Sequence, residues 1–301
     1  MAEASERWLL DTNIVIDLLV GFTCYAITRV LGRRGMKHCD TILISTDRVI
    51  QDTALRNRLQ DEVISSLEAM TRSLREQGIE LAVTSTTVDE TRSVIERLRR
   101  HEQSYNRMYR NHFRGRVVVV LLPAGYLLSY DAIAGTMFRH SLLKVVDVGD
   151  MRSEAEQAIN TYLGGRYDRE DWHLVAALLS DHRITAIYTE EDRVAHGLKR
   201  IAEEHSRRRV DVGGFSALLA SLRTLGALTA QQAHITGYYA YKFQRLLHSH
   251  RNVYMAGLQQ QPGSGEQLPP DALAWIAYSQ RRLQHYIPPQ PRQPIATGGH
   301  P

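Results

Sequence analysis

Cysteine is nearly absent from this 301-residue chain: only Cys24 and Cys39 occur. Two thiols so placed make no disulfide framework and no paired metal-ligand spacing, so a small stapled secreted fold and a zinc module are both excluded, and a reducing cytoplasm is the expected setting. Long uncharged apolar runs are missing too. The most apolar N-terminal stretch, 8–19, is broken by Asp11, Asn13 and Asp17, and MAEASERW has neither the basic start nor the apolar core of a signal peptide. No membrane span is expected. There is no GxxxxGKS/T phosphate loop, no GxGxxG after a strand, no GxSxG elbow and no HExxH, which removes the commonest nucleotide, dinucleotide, serine-hydrolase and zincin chemistries. The histidines, His173 included, lack ligand spacing, and no internal repeat is found.

What is present is a chain 43% hydrophobic, able to bury a sizeable core. Its net charge is +4 and its pI about 9.1, and the excess is clustered rather than spread. Arg97, Arg99, Arg100, Arg107, Arg110, Arg114 and Arg116 fall within twenty positions, interleaved with Tyr105, Tyr109 and Phe113. Such a stripe suits a phosphate backbone with unpaired bases to stack, and equally a solvated helix face. Further basic knots lie at 199–200, 207–209 and 242–251.

Three places share one pattern: a short apolar run, a small polar residue, then an acid heading a helix. In WLLDTNIVIDLL the run at 7–10 feeds Asp11, which is expected to close the strand while Thr12 or Asn13 caps the helix. The run 79–83 (IELAV) leads through residues 84–87 into a helix carrying Glu90. The segment 167–194 holds a helix with Leu174, Val175, Leu178 and Leu179 on one face. Asp168 is its expected cap and Asp171 lies in its first turn. A strand at 184–188 (ITAIY) follows, with Thr189 to stop it and cap the next helix, and then Glu190, Glu191 and Asp192. An acid three residues after a cap is common in helices without chemistry. Recurrence of the pattern carries the inference, not any single acid.

The rest reads as follows. Residues 21–37 continue helically, with an extra strand at 41–45. A helix at 54–75 carries Leu55, Leu59, Val63, Leu67, Met70 and Leu74 on one face, either core or a homodimer seam. Residues 117–122 (VVVVLL) are a buried strand or the start of a buried helix. Helices are expected at 131–143, 153–162, 214–225 and 229–248, with a short strand at 210–212. QQQPGSG at 259–265 reads as a linker, 269–286 as an amphipathic helix that packs back or binds a partner, and the tail as disordered.

Strands separated by helices imply parallel pairing with right-handed crossovers, so their carboxyl ends share one edge. The acids would converge there. Two ionised carboxylates about 4 Å apart repel by roughly 4 kcal/mol at an effective dielectric near 20, so such a cluster needs protons or cations. Oxygen-only ligation suits Mg²⁺ or Mn²⁺, and ions of that kind can activate water against a phosphodiester.

Asp11-Thr-Asn13, Glu90 in STTVDE, Asp171 in DWHLVAA and Thr189 in IYTEED together resemble the ordered motifs of the PIN-domain ribonucleases, the family that includes VapC-type toxins. The resemblance spans about residues 8–212. It implies an α/β/α sandwich with a central parallel sheet, a Mg²⁺ or Mn²⁺ site and endonucleolytic cleavage of single-stranded RNA, as in a toxin or defence effector. By family position Asp11, Glu90 and Asp171 would be the catalytic metal ligands, with Glu191 or Asp192 the fourth acid and Asn13 and Thr189 supporting. The expected organisation is a PIN-like domain over 1–212, enlarged by 20–78, then a helical extension over 213–258 through which a protein inhibitor or partner could bind, and a tail over 259–301. A PIN-like scaffold that binds RNA without cutting it is the alternative.

Overall fold

The computed structural model describes residues 5–32, 53–96, 130–163, 169–241 and 243. The stretches at 41–45, 97–129, 164–168 and beyond 243 lie outside them, and with these lie the arginines from Arg97 to Arg116, the expected Asp168 cap, the run at 117–122 and the expected helix at 269–286.

Among the described residues, five strands form one all-parallel sheet: β1 (Glu6–Leu10), β2 (Ile79–Thr84), β3 (Lys144–Val146), β4 (Ile184–Tyr188) and β5 (Asp211–Gly213). Their order is β3-β2-β1-β4-β5. Trp8 pairs with Leu81 on one side and Ala186 on the other, so β1 is the central strand. A parallel sheet is covered on both faces, and its central strand therefore reads as an unbroken apolar run rather than an alternating one. Leu9 and Leu10, facing opposite ways, are both fully buried. Trp8, Leu10, Leu81, Val83 and Tyr188 enter one core, and Leu9, Ala82 and Ile187 enter the other. The register slips between Arg7 and Trp8, whose partners are Ile184 and Ala186. This irregularity turns Ile184 to the same face as Ile187, three positions on.

The first core lies between the sheet and a layer of long helices. Helix α1 (Thr12–Leu31) is apolar almost all round, the composition of a helix surrounded by protein. It is long and apolar enough to cross a membrane, yet 72% of its most apolar window is buried inside the fold, as befits a core helix. Helix α2 (Thr53–Glu76) crosses it with Leu59, Val63, Leu67, Met70 and Leu74 at most 1% exposed, so the heptad-like stripe is committed to the chain's own core. Gly78, at φ +78°, turns the chain from α2 into β2, a conformation that glycine adopts without strain. Helix α3 spans 85–96 and α4 is Tyr130–Arg139. The opposite layer holds α5 (Arg152–Tyr162), α6 (Arg169–Ser180) and α7 (Asp192–Arg200), which runs into a π turn at Ile201–His205. The architecture is thus α/β with a five-stranded parallel sheet between two helical layers.

Helices α8 (Phe215–Thr224) and α9 (230–241) return to the first layer, burying Leu218, Leu222, Tyr239 and Phe243 in the same core as α1. Helix α9 begins with a reciprocal cap: the Thr229 amide donates to Gln232 Oε1, and the Gln232 amide to Thr229 Oγ1.

From β1 the chain builds β2 and β3 on one side, then crosses to build β4 and β5 on the other. The reversal falls between β1 and β4, and in open parallel sheets ligands sit at the carboxyl edge of such a reversal. The amino edge is occupied by structural ion pairs instead. The Arg7 guanidinium bonds Asp181 and, at 3.1 Å, Glu80. Arg208 donates to the carbonyls of Leu178, His182 and Ile184 at 2.7–2.9 Å, closing the carboxyl end of α6. Burial pushes the Asp181 carboxyl up, but the Arg183 amide and the Arg7 guanidinium together outweigh it and hold it below the usual carboxylate range.

Candidate functional site

Asp11 stands one residue past β1, its amide bonded to the Tyr188 carbonyl at 3.0 Å, so β1 and β4 deliver it directly to the reversal point. It does not close the strand as the sequence suggests. It is itself the cap of α1: extended at φ −75°, ψ 161°, its Oδ1 accepts from the Thr12 amide at 2.6 Å while its carbonyl takes the Val15 amide. A short carboxylate is well suited to that position, and it spares Thr12 the capping duty. The Thr12 hydroxyl is directed at Glu90 Oε2, 3.4 Å away on α3. Glu90 is placed by Thr84, whose Oγ1 accepts the Thr87 amide at 3.1 Å and thereby starts α3.

Across the reversal, Thr189 Oγ1 donates to Asp11 Oδ2 at 2.5 Å and accepts the Glu191 amide at 3.2 Å. The expectation that Thr189 caps α7 is corrected: Glu191 occupies the cap position without a side-chain bond, and Thr189 turns the chain two residues earlier. Its hydroxyl has been taken by the buried carboxylate. Asp11, Thr12, Glu90 and Thr189 therefore form one hydrogen-bonded chain joining β1, α3 and the end of β4, with Asp11 4% and Thr189 2% exposed.

Asp171, 6% exposed, lies in the first turn of α6. The half-exposed guanidinium of Arg193, in the first turn of α7, stands 3.8 Å from its Oδ2. Glu190 accepts the Phe215 amide and so caps α8. Glu191 and Asp192 are exposed, and Asn13, in the first turn of α1, is half-buried.

Asp11 and Glu90 are thus linked through Thr12, while Asp171 has Arg193 3.8 Å away. Among the described residues no three of His, Cys, Asp and Glu are gathered closely enough to hold one ion. The donor set itself is oxygen-only, as a hard divalent cation requires, and Mg²⁺ is commonly held by one or two carboxylates with water and phosphate oxygens completing its shell. By donor chemistry Asp11 and Glu90 fit such an ion; by number they supply a pair rather than a triad. Two functional features escape a reading of the sequence. Arg193 has no pattern around it that marks a counter-charge, and Thr12 looks like a cap until Asp11 is seen to fill that role. No family model, curated protein or solved structure matches the chain.

Proposed function

We propose that the chain is a divalent-metal-dependent endoribonuclease of PIN-domain type, cutting single-stranded RNA in a cytoplasmic setting, with a toxin or defence effector as the fitting role. The observation that carries this reading is the bonded chain Asp11–Thr12–Glu90 with Thr189 on Asp11, buried at the carboxyl edge where the sheet reverses. Asp11 and Glu90 would hold Mg²⁺ or Mn²⁺, and Asp171 with Glu191 or Asp192 are the further acids that the resemblance to PIN domains implies. The bound ion would supply Lewis acidity and a water of lowered pKa. Thr189 fixes the rotamer of Asp11, Thr12 ties that carboxylate to Glu90, and Arg193 balances the charge of Asp171.

The test is cleavage of an end-labelled single-stranded RNA by the full chain with Mn²⁺. Asp11→Asn and Asp171→Asn should each lower the rate at least 100-fold while circular dichroism stays that of the parent. Undiminished cleavage by either variant would sink the assignment of that residue, and by both, the reading itself. A second reading, an RNA-binding scaffold that does not cut, is favoured by one specific feature: the Arg193 guanidinium stands 3.8 Å from Asp171, where a metal ion would otherwise balance its charge. RNA affinity persisting in chelator, with no cleavage under any divalent ion, would select it.

A further inference from the structure

Helix α9 is amphipathic in an unusual sense. Its inner face buries Thr236, Tyr239 and Ala240, and its outer face carries aromatic rings instead of charges. His234, Tyr238 and Tyr241 are all exposed. At 100° per residue they fall within an arc of about 60°, so the three rings form one stripe along the helix. Tyr238 and Tyr241 are 45% and 61% exposed, and the only other exposed large apolar residue among those described is Val145, on the edge strand β3. The first two rings are already arranged for stacking: the His234 and Tyr238 planes lie 19° apart with centroids 6.5 Å apart. Tyr239, which is buried, stands edge-on to the Tyr238 ring with centroids 5.0 Å apart.

In sequence, the stripe lies in a stretch whose charge has one sign. Between Asp211 and Glu266 the sequence contains no acidic residue, whereas Arg223, Lys242, Arg245 and Arg251 fall there with His234, His248 and His250. An aromatic stripe in an acid-free, cationic stretch is complementary to a polyanion whose own flat rings are unpaired. A duplex hides its bases and offers nothing to stack, and an acidic peptide has no use for parallel rings. We infer that the outer face of α9 is a stacking platform for single-stranded RNA, with Tyr238 and Tyr241 each taking a base and His234 extending the stack. This rests on the proposed function only for RNA as the nucleic acid; the binding needs neither the carboxylates nor a metal ion.

The experiment measures fluorescence anisotropy of a labelled twelve-nucleotide oligouridine with the full chain in EDTA, so that cleavage does not enter. Tyr238→Ala and Tyr241→Ala should each weaken binding about 5-fold or more, since a base–aromatic stack is lost. Tyr238→Phe and Tyr241→Phe, which keep the ring, should bind within about 2-fold of the parent. A blunt-ended RNA duplex of the same length should bind the parent more weakly than the single strand. Unchanged affinity in both alanine variants, no binding by the parent, or duplex binding as tight as single-strand binding would overturn the inference. A fall in sedimenting mass in the alanine variants with RNA affinity retained would overturn it in favour of a protein-docking face. The two proposals fail separately: unchanged RNA affinity in the alanine variants together with metal-dependent cleavage removes the platform and keeps the nuclease, and ring-dependent binding without cleavage does the reverse.

Discussion

Replacing Thr189 with valine keeps its volume and branching and removes only the hydroxyl, so it isolates the bond that joins the two halves of the site. Both partners are buried, Asp11 at 4% and Thr189 at 2% exposed. A hydrogen bond to a charged group contributes about 1.5–3 kcal/mol, and the Glu191 amide, which loses its acceptor at an exposed position, adds about 0.5 kcal/mol. Thr189→Val should therefore destabilise the fold by about 2–3.5 kcal/mol in urea denaturation at neutral pH. Thr189→Ser keeps the hydroxyl and loses a buried methyl, a cost of about 0.8 kcal/mol. The valine variant, closer in shape, should be the less stable of the two. If serine costs as much as valine or more, packing rather than the bond to Asp11 is what Thr189 contributes, and the reasoning fails. The same substitution frees the Asp11 carboxylate to rotate, and loss of such an orienting partner typically lowers metal affinity 10- to 100-fold.

At the opposite edge, Arg7→Met leaves the buried Asp181 with only the Arg183 guanidinium, 3.3 Å away, as ion-pair partner, and loss of the charged hydrogen bond should cost about 1.5–3 kcal/mol at pH 7. Because Asp181 titrates below its unfolded value in the parent, its stabilising contribution is full above about pH 3.9 and lost as pH falls through the lower folded value. In the variant burial loses one of its opponents and the carboxyl rises, so the stability gap measured by urea should shrink from pH 7 toward pH 3.5; a pH-independent gap would contradict this. Gly21→Ala places a Cβ 2.3 Å from Thr236 Cγ2 and 2.8 Å from its carbonyl, where α1 and α9 touch. Overpacking of about 1–3 kcal/mol should outweigh the helix-propensity gain of about 1 kcal/mol, and Thr236→Ala in the same chain should recover part of the loss in thermal denaturation.

The elements that could be read from the sequence are those whose period matches their surroundings. The run ITAIY and the stripe from Leu59 to Leu74 are buried strand and core helix as their spacing predicts. The parallel sheet follows from alternation of strand and helix, though not its order, because nothing local says that β4 returns to the far side of β1. Asp11, Thr189 and Glu90 could be singled out by their place after apolar runs. Their bonding could not: whether Asp11 or Thr12 caps α1 turns on φ and ψ at one residue, and the reach of Thr12 to Glu90 joins parts of the chain far apart in sequence. Arg193 was invisible for the same reason, being a surface arginine by every local criterion. Residues 213–258 read as a helical extension because they follow the last strand, and nothing local in the sequence says that Leu218, Leu222 and Tyr239 are buried in the first core.

The carboxylates at the sheet reversal are tested most directly by Mn²⁺ binding to the chelator-stripped full chain, followed by paramagnetic resonance of the free ion. A saturable site should be present in the parent and weakened at least 10-fold in Asp11→Asn and in Glu90→Gln. No saturable site, or one indifferent to both substitutions, would contradict the assignment of these two carboxylates to a metal ion.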